Sequence, residues 1–352
     1  MKKRKMAKLF NKAALFTDIH FGKKNNNREY NEYCDKFIDW FIDISRSKGC
    51  DVCIFLGDWH DNRRTINIST LNFSLENIEK LSKNFDQIFM IVGNHDLYYR
   101  EKRDLNSINF SRNIKNVKII NEITIIDDCC FLPWLMDYEI DQVKKISKKY
   151  VFSHLELPFF ILNNNRLMED NGKLRLEDLK NNDMVLTGHF HKRQQKDNVY
   201  YIGNAFPQNF SDSGDLERGM VILEWGGDLE YYTWPDQPVF FQIRLDELEN
   251  YYGLINDKCY IKLIINDEYS FEEIKKKKDT LYEKFKVKEI SILYDLRKLS
   301  DYNVDTGSIN TNLKTVSEII IDSIKSISEM SEENKQLMIE IFNDLDIDSY
   351  ND

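Results

Sequence analysis

The chain has 352 residues, of which 42% are hydrophobic and 31% charged, so it can form a full core and more than one domain. It lacks the run of about 18 apolar residues that a membrane span needs, and too few apolar residues follow the basic N-terminus for a signal peptide. The net charge of −10 argues against a surface devoted wholly to nucleic acid, although residues 329–352 alone carry eight acids and one lysine. Because neither a membrane span nor a signal peptide is predicted, we expect a cytoplasmic protein.

The six cysteines are spread along the chain, without the density of a disulfide scaffold. Cys50 and Cys53 form a lone C-x-x-C motif, and no second pair lies at the spacing of a zinc site. We therefore expect buried free thiols.

The first third of the chain alternates between predicted strands and helices. Apolar runs at 14–16, 54–56 and 89–92 predict strands, and two segments between them have apolar residues three and four apart. The helical positions are Tyr30, Tyr33, Phe37, Phe41 and Ile44, then Leu71, Leu75, Ile78 and Leu81 with Ser69 or Thr70 as the N-cap. This order predicts a parallel sheet with crossover helices, whose functional residues collect at the carboxyl ends of the strands.

From about residue 116 the pattern changes to shorter strands. Two of them end at His154 and His189, and two more, at 199–203 and 219–225, are expected to complete a second sheet packed on the first. The segment 226–238 contains two glycines and two prolines and is the predicted domain boundary. Residues 240–294 predict a small α+β module. Two apolar stripes predict terminal helices: Leu313, Val316, Ile320, Ile324 and Ile327, then Met338, Ile341, Phe342 and Leu345.

Five apolar runs end in residues that can hold a metal ion. They are 14–20 (ALFTDIH), 54–61 (IFLGDWHD), 89–96 (FMIVGNHD), 150–154 (YVFSH) and 184–191 (MVLTGHFH), and they contain all six histidines. A lone D-x-H is weak evidence, because a buried histidine bonded to a backbone carbonyl is commoner. The ordered set is much stronger, because five separate strand ends would each need another explanation.

The residue types indicate the chemistry of such a centre. Asp58 can direct one carboxylate oxygen to each of two cations, and residues two apart, such as Asp18 and His20, project to the same side of an extended segment. Carboxylate, imidazole and amide donors suit Mn²⁺, Fe²⁺ or Zn²⁺. Two such ions roughly 3.5–4 Å apart activate water and stabilise an in-line displacement at phosphorus. The pattern therefore predicts a hydrolase of phosphate esters.

Basic residues crowd the loops beside these stretches. They are Lys23, Lys24 and Arg28, then Arg63 and Arg64, then Arg100, Lys102 and Arg103. Positive potential at this edge fits a phosphate backbone as the ligand, and we expect DNA contacts from Lys23, Lys24, Arg63, Arg64, Arg100 and Arg103. The alternative is ordinary solvated charge on surface loops.

The motif set resembles the calcineurin-like metallophosphoesterase superfamily, and more narrowly its SbcD-type DNA repair and recombination nucleases, including the recombination endonuclease subunits of large tailed phages. The resemblance rests on 18–22 (DIHFG), 57–63 (GDWHDNR), 93–97 (GNHDL), 154–157 (HLEL), 188–191 (GHFH) and 201–204 (YIGN), and it extends over nearly the whole chain.

The resemblance implies an α/β fold, a two-sheet sandwich flanked by helices with a small α+β capping module and C-terminal helices. It implies a nuclease domain at 1–235, a capping, DNA-binding domain at 236–305 and a segment at 306–352 that binds an ATPase partner. That partner would be an SbcC-type coiled-coil ATPase, and the nuclease would be a homodimer within a heterotetramer. The alternative for the terminal helices is packing on the protein's own core.

The resemblance also assigns roles to single residues. Asp18, His20 and His191 would hold one metal ion, Asn94, His154 and His189 the second, and Asp58 would bridge them. His95 would assist the leaving oxygen or stabilise charge, and Asp96 would orient His95. The ions would be Mn²⁺, with Mg²⁺ as the alternative. His60 stands where an apolar residue is usual. Its side chain would either point away from the centre or add a substrate contact, and we expect the first.

Three functions remain open from the sequence. The first is a two-metal DNA nuclease, acting as an exonuclease, an endonuclease or both. The second is a phosphoesterase acting on a nucleotide or a phosphoprotein, and the third is a non-catalytic scaffold for an ATPase. Every ligand position is kept, which argues against the scaffold, and a small substrate would not explain the added module and helices.

Overall fold

The structure is a computed structural model that describes residues 8–162, 166–266 and 269–294, together with residues 324–325, 331 and 334–339. The chain divides into two compact units, Met1–Asp295 and Leu296–Asp352. In the second unit, residues 324–325 and 334–339 are helical. The rest of the two predicted terminal helices lies outside the described residues.

The described residues form strands and helices that alternate along the chain. The strands are β1 (Lys12–Phe16), β2 (Val52–Phe55), β3 (Gln87–Ile91), β4 (Leu97–Tyr99), β5 (Lys102–Asn106), β6 (Val117–Ile120), β7 (Thr124–Ile126), β8 (Cys129–Leu132), β9 (Tyr150–His154), β10 (Met184–Gly188), β11 (Gln194–Lys196), β12 (Val199–Tyr201), β13 (Gly219–Glu224), β14 (Leu229–Thr233), β15 (Val239–Arg244), β16 (Cys259–Ile265) and β17 (Glu289–Tyr294). The helices are α1 (Lys23–Asn26), α2 (Arg28–Ser47), α3 (Ile68–Asn84), α4 (Ile140–Val143) and α5 (Phe271–Phe285), with short 3₁₀ turns at Asn109–Asn113, Asp137–Glu139, Leu176–Leu179, Phe210–Asp212 and Leu245–Tyr251.

Two six-stranded sheets form the body of the first unit. The first has the order β14-β13-β1-β2-β3-β6 and the second the order β11-β12-β10-β9-β8-β7. Strands β1, β2, β3 and β6 are parallel, as are β8, β9, β10 and β12. An apolar layer of side chains from both sheets, including Leu15, Ile54, Phe89, Phe152 and Leu186, lies between them. This is the expected two-sheet α/β architecture.

The small α+β module is built from β15, β16, β17 and α5. Its three strands are parallel, and α5 begins at a capping box in which Ser270 accepts from the backbone of Glu273 and Glu273 accepts from that of Ser270. The module has an apolar cluster of its own. The elements are those predicted at 240–294, and the division of the chain at 235 and 305 stays a prediction.

Three expectations from the sequence need correction. Strand β13 pairs with β1 in the first sheet, and β14, which lies inside the expected boundary segment 226–238, extends the same sheet. Helix α3 is capped by Asn67, whose side chain accepts from the backbone of Thr70. Leu71 and Leu75 are each 38% exposed, because the inner face of α3 is occupied by residues such as Ser74, which accepts from the Trp59 indole.

Two further observations concern the cysteines and the helices. All six cysteines are free and buried, as expected. Among the helices in the described part of the chain, none is long and apolar enough to cross a membrane.

Candidate metal centre

The five ligand-bearing stretches follow strands whose carboxyl ends point to one edge of the sandwich. Asp18 and Asp58 come shortly after β1 and β2, and Asn94 comes shortly after β3. His154 is the last residue of β9 and His189 follows β10 directly. Because these strands are parallel within each sheet, their ends bring residues far apart in sequence to a single site.

The backbone at this edge is bent sharply. Asp18, His20, Asp58 and His189 have positive φ angles of 52°, 53°, 62° and 87°, a region that non-glycine residues seldom adopt outside functional sites. Gly93 is required for close approach, because a Cβ there would overlap the carboxylate and backbone nitrogen of Asp58. The ligand loops therefore pack directly on one another.

Asp18, His20 and His191 form the first group of donors. Nε2 of His20 lies 3.8 Å from Oδ1 of Asp18, and Nε2 of His191 lies 4.0 Å from the same oxygen. One ligand atom from each residue lies within 4.8 Å of the others. These are separations that donors around one small cation would have.

The second group consists of Asn94, His154 and His189. Oδ1 of Asn94 lies 3.0 Å from Nε2 of His154 and 3.0 Å from Nδ1 of His189. The backbone carbonyl of Leu56 accepts from Nδ1 of His154 at 2.7 Å, which leaves Nε2 facing the centre.

Asp58 lies between the two groups. Its Oδ2 is 3.9 Å from Nε2 of His20 in the first group and 3.4 Å from Nε2 of His154 in the second. Its Oδ1 accepts a hydrogen bond from the backbone N–H of His95 at 2.8 Å, so the orientation of the carboxylate is fixed. A ligand shared by the two groups would therefore use Oδ2 alone, and not one oxygen for each ion as expected from the sequence.

The donor set fits divalent cations. Oδ1 of Asp18 and both ring nitrogens of His20 are buried without a hydrogen-bond partner, whereas Oδ2 of Asp18 accepts from Thr17 Oγ1 and from the backbone of His189. Orphaned buried polar atoms of this kind are costly unless a further group satisfies them. An ion held by the first group would satisfy Oδ1 of Asp18 and one ring nitrogen of His20. The two groups offer such ions oxygen and nitrogen ligands without a thiolate.

Burial and mutual charge shape the electrostatics of the metal-free centre. Burial lowers the pKa of His20 and of His191 well below the usual value, so both are neutral. Burial would also lower the pKa of His154, but the charge on Asp58 and a hydrogen bond to it raise that pKa to about 9. Burial opposes ionisation of Asp58, yet His154 holds the pKa of this carboxyl well below its ordinary range. Asp58 and His154 therefore form an ion pair when no metal is bound.

Asp96 does not hold His95 in the way the resemblance implied. Within the described residues, its fully buried carboxylate accepts from four backbone N–H groups, those of Asp58, Trp59, His60 and Gly93, and from Ser107 Oγ. The loop after β2 is thus wrapped around Asp96. Its role in the structure is to fix the loop that carries Asp58.

The imidazole of His95 is positioned by Asp61 instead. Nδ1 of His95 donates to the backbone carbonyl of Asp61 at 2.7 Å, and the His95 ring lies edge-on to that of His20 at 4.8 Å. The Asp61 carboxylate lies 3.6 Å from Nδ1 of His20 and 3.0 Å from Nζ of Lys23. The sequence marks Asp61 only as the last residue of the 54–61 stretch, and its contacts with His95 and His20 are visible only in the structure.

His60 points away from the centre, as expected. Its ring is fully buried between Ser107 Oγ at 2.8 Å from Nδ1 and Ser74 Oγ at 2.9 Å from Nε2. Burial lowers the pKa of His60 to about 3, so the ring is neutral. The side chain links α3 to the loop after β5.

The six expected DNA contacts occupy different environments. Arg64 and Arg100 are exposed, while burial and the charge of Arg100 lower the pKa of the half-buried Arg63. The ammonium group of Lys24 lies 4.5 Å from the Tyr260 ring and 5.2 Å from that of Phe240, where it joins α1 to the small module.

Arg103 departs most from the expectation for a DNA contact. It is only 8% exposed, it pairs with Glu139, and it donates to the carbonyl of Trp134 at 2.9 Å. A guanidinium that is buried and paired in this way is not available to bind a phosphate, so Arg103 is not a DNA contact in our proposal.

Two residues beside the second group were not found from the sequence. Oε1 of Glu156 lies 3.6 Å from Nε2 of His189, and the Trp134 ring lies 5.0 Å from the His189 ring. Glu156 could have been found by the same two-residue spacing from His154 that links Asp18 to His20. Trp134 follows β8, which ends without a ligand, so no pattern marks it.

The chain is similar to known proteins. It is 24% identical over 349 residues to exonuclease subunit 1 of Enterobacteria phage T4, covering 94% of this chain and 97% of the relative. The Pseudomonas putida nuclease MPE is 18% identical, with a TM-score of 0.28 over 51% of this chain and 61% of that one, so the chain spans less than two thirds of that nuclease. A dimetal phosphatase from Danio rerio is 13% identical, with a TM-score of 0.39 over 60% of this chain and 92% of that one.

The family match covers all five ligand-bearing stretches. The sequence matches the calcineurin-like phosphoesterase family over residues 12–193, which is more than half of the chain. The matched region begins at β1 and ends just after His191. The chain therefore belongs to the calcineurin-like phosphoesterase family.

Proposed function

We propose that this chain is a two-metal-dependent DNA nuclease that hydrolyses phosphodiester bonds in DNA repair or recombination in the cytoplasm. The observation that carries the proposal is the convergence of Asp18, His20 and His191 with Asn94, His154 and His189 around the single carboxylate of Asp58. Similarity to an exonuclease subunit along almost the whole chain supports DNA as the substrate. Mn²⁺ is the proposed ion, with Mg²⁺ as the alternative.

Each residue at the edge of the sandwich has a role in this proposal. Two divalent ions in this donor set would activate water and neutralise charge on the phosphate. Asp58 lies between the two donor groups and would bind both ions. The Nδ1–H of His95 donates to Asp61, which leaves Nε2 to contact the substrate and stabilise charge on the leaving oxygen.

The cations beside the ligand stretches would bind the rest of the substrate. Arg63, Arg64 and Arg100 lie on loops that flank the ligand stretches, and the charge of Arg100 acts directly on Arg63. A cluster of like charges is costly unless an anion lies between them, which the backbone of DNA supplies. Lys23, already paired with Asp61, would act nearest the metal centre.

We further propose that the chain is the nuclease subunit of an SbcCD-like complex, present as a homodimer with an SbcC-type coiled-coil ATPase. The name of the T4 relative, a subunit, supports a partner. The two apolar stripes between Leu313 and Leu345 are suited to dock on another chain, although most of them lies outside the described residues.

The catalytic part of the proposal is tested with the purified full-length chain, Mn²⁺ or Mg²⁺, and end-labelled single- and double-stranded DNA. We expect metal-dependent shortening or internal cleavage of the DNA and no cleavage with EDTA. His95→Asn, purified in parallel, controls for contaminating nucleases. If wild type and variant degrade DNA equally, or if a nucleotide or phosphoprotein is hydrolysed and DNA is not, the nuclease assignment is wrong.

The partner is tested by removing the residues after Asn310. All proposed ligands precede residue 192, so we expect the shortened chain to keep Mn²⁺-dependent cleavage of a short single strand. We expect it to lose co-purification with a co-expressed SbcC-type ATPase. A shortened chain that stays folded and still binds the ATPase would place the partner site elsewhere. Intrinsic DNA binding should hold steady or rise at low salt, because the most acidic segment is gone.

A further inference from the structure

A cavity of about 410 Å³ opens directly beside the second donor group. His154 and Glu156 form part of its wall, and the Trp134 ring that lines it packs on the rings of His154 and His189 at 6.1 and 5.0 Å. The volume lies within the range of about 300–1,000 Å³ of sites that enclose small ligands. A group attached to a phosphate at the metal centre could therefore enter this cavity.

The lining combines aromatic faces with apolar walls. Trp134 and Tyr138 supply the aromatic surfaces, and Leu135, Leu155 and Leu174 supply aliphatic ones. Tyr138 is 80% exposed although its neighbours Met136 and Glu139 are buried, so its ring is not needed to fill the core. An exposed aromatic ring at the mouth of an apolar cavity is suited to stacking on a flat ligand.

Polar groups lie at the rim of the cavity. Asn171 donates to Glu156 at 3.2 Å, and its carbonyl oxygen accepts from the backbone of Lys173. The ammonium of Lys173 is already paired with Asp137 at 2.6 Å, so it supplies little free positive charge inside. The exposed Arg100 also lines the cavity, but so do the carboxylates of Glu101 and Glu156. The lining as a whole therefore suits a neutral, flat, hydrogen-bonding group better than a second phosphate.

We propose that this cavity receives the unpaired nucleobase of the nucleotide whose phosphate is hydrolysed, and that the nuclease consequently prefers single-stranded or frayed ends. This rests on the proposed function. Unpaired bases are recognised by stacking on aromatic side chains and by hydrogen bonds to their edges. A base inside a duplex would first have to leave its stack, which costs free energy that an unpaired end does not require.

Two small esters distinguish an effect on base binding from an effect on phosphate hydrolysis. Thymidine 5′-(p-nitrophenyl phosphate) and methyl p-nitrophenyl phosphate release the same phenol, but only the first carries a base. With Mn²⁺-loaded full-length protein, we expect Tyr138→Ala to lower kcat/KM for the thymidine ester about tenfold, a typical effect of one aromatic stacking contact on a base. The methyl ester should be hydrolysed at an unchanged rate.

Phe271→Ala is the matched control, because Phe271 is an aromatic residue that is 79% exposed and lies on α5, outside the cavity. It should change neither ester. Equilibrium dialysis of thymidine 5′-monophosphate gives a second measurement, in which Tyr138→Ala should raise Kd about tenfold and Phe271→Ala should not.

The outcomes distinguish the cavity from the proposed function. If Tyr138→Ala affects both esters equally or neither, the base does not enter the cavity, while the nuclease assignment stands. If the wild-type protein hydrolyses neither ester nor DNA, the proposed function is wrong, and so is the assignment of the cavity as a site for the base of the substrate. If the variant loses activity on the thymidine ester alone and binds the monophosphate more weakly, the inference is supported.

Discussion

The contacts of Asp96 lead to a sharp prediction for Asp96→Asn. Its Oδ2 accepts from the backbone N–H groups of Asp58 and Gly93, both at 3.0 Å, and its Oδ1 accepts from Trp59, His60 and Ser107 at 3.0, 3.2 and 3.3 Å. Asparagine offers one acceptor oxygen and one NH₂ group. In either orientation of the amide, the NH₂ faces at least two buried backbone donors.

The size of the effect follows from those two donors. A buried N–H that loses its acceptor costs about 1–3 kcal/mol, so the variant should lose about 2–6 kcal/mol of unfolding free energy. The measurement is urea denaturation in EDTA, which removes the stabilisation that bound metal would add. Asp35→Asn is the control, because Asp35 pairs with Lys80 at the surface and should contribute less than about 1 kcal/mol.

The same experiment separates two roles for Asp96. If the residue serves to orient His95, Asp96→Asn should keep its stability and lose turnover. If it fixes the loop after β2, stability falls first, and metal affinity falls with it because Asp58 is on that loop. A loss of unfolding free energy no larger than that of Asp35→Asn would refute the reasoning from the structure.

Three further predictions concern the centre itself. His95→Asn should lower DNA hydrolysis by at least about 10²-fold while metal content and DNA affinity stay near normal, and near-normal turnover with confirmed metal content would contradict its role. Asp58→Ala should bind fewer than two ions per chain by elemental analysis, because the carboxylate between the two donor groups is lost; two tightly held ions would argue against bridging. His154, with a pKa of about 9 against an ordinary 6.5, should stabilise the metal-free protein fully below pH 6.5 and lose this contribution as the pH rises through 9. Since a bound ion must displace that proton, Mn²⁺ affinity measured by titration should rise about tenfold per pH unit towards pH 9, and an affinity independent of pH would contradict it.

Much of the site was predictable because it follows from patterns that span only a few residues of the sequence. The alternation of side chains along an extended segment pairs Asp18 with His20, and parallel strands bring their carboxyl ends to one edge. Both rules act over a few residues, so the sequence displays them directly. The convergence of five strand ends in the structure is their combined result.

The parts that sequence reasoning missed depend on contacts between distant segments. Whether Asp96 turns towards His95 or towards the loop after β2 depends on four backbone donors, which no pattern of side chains reveals. The inner face of α3 was predicted from leucines, but Ser74 and Thr70 lie inside because Trp59 and Asn31 supply partners there. The pairing of β13 with β1 in the first sheet was missed because the alternation of a strand does not specify which sheet it joins.

The strained ligand backbone and the buried charges together explain why the fold around the centre is so heavily hydrogen-bonded. Asp18 and Asp58 approach each other in a buried site, where burial first and then the charge of Asp58 raise the pKa of Asp18. The left-handed conformations of Asp18, His20, Asp58 and His189 cost about 1–3 kcal/mol each. Hydrogen bonds from Thr17 to Asp18, from the loop after β2 to Asp96 and from His154 to Leu56 oppose relaxation of that geometry. The donor atoms are thus held in place by the protein itself, so cations that bind them gain the full attraction of two carboxylates without having to reorganise the chain.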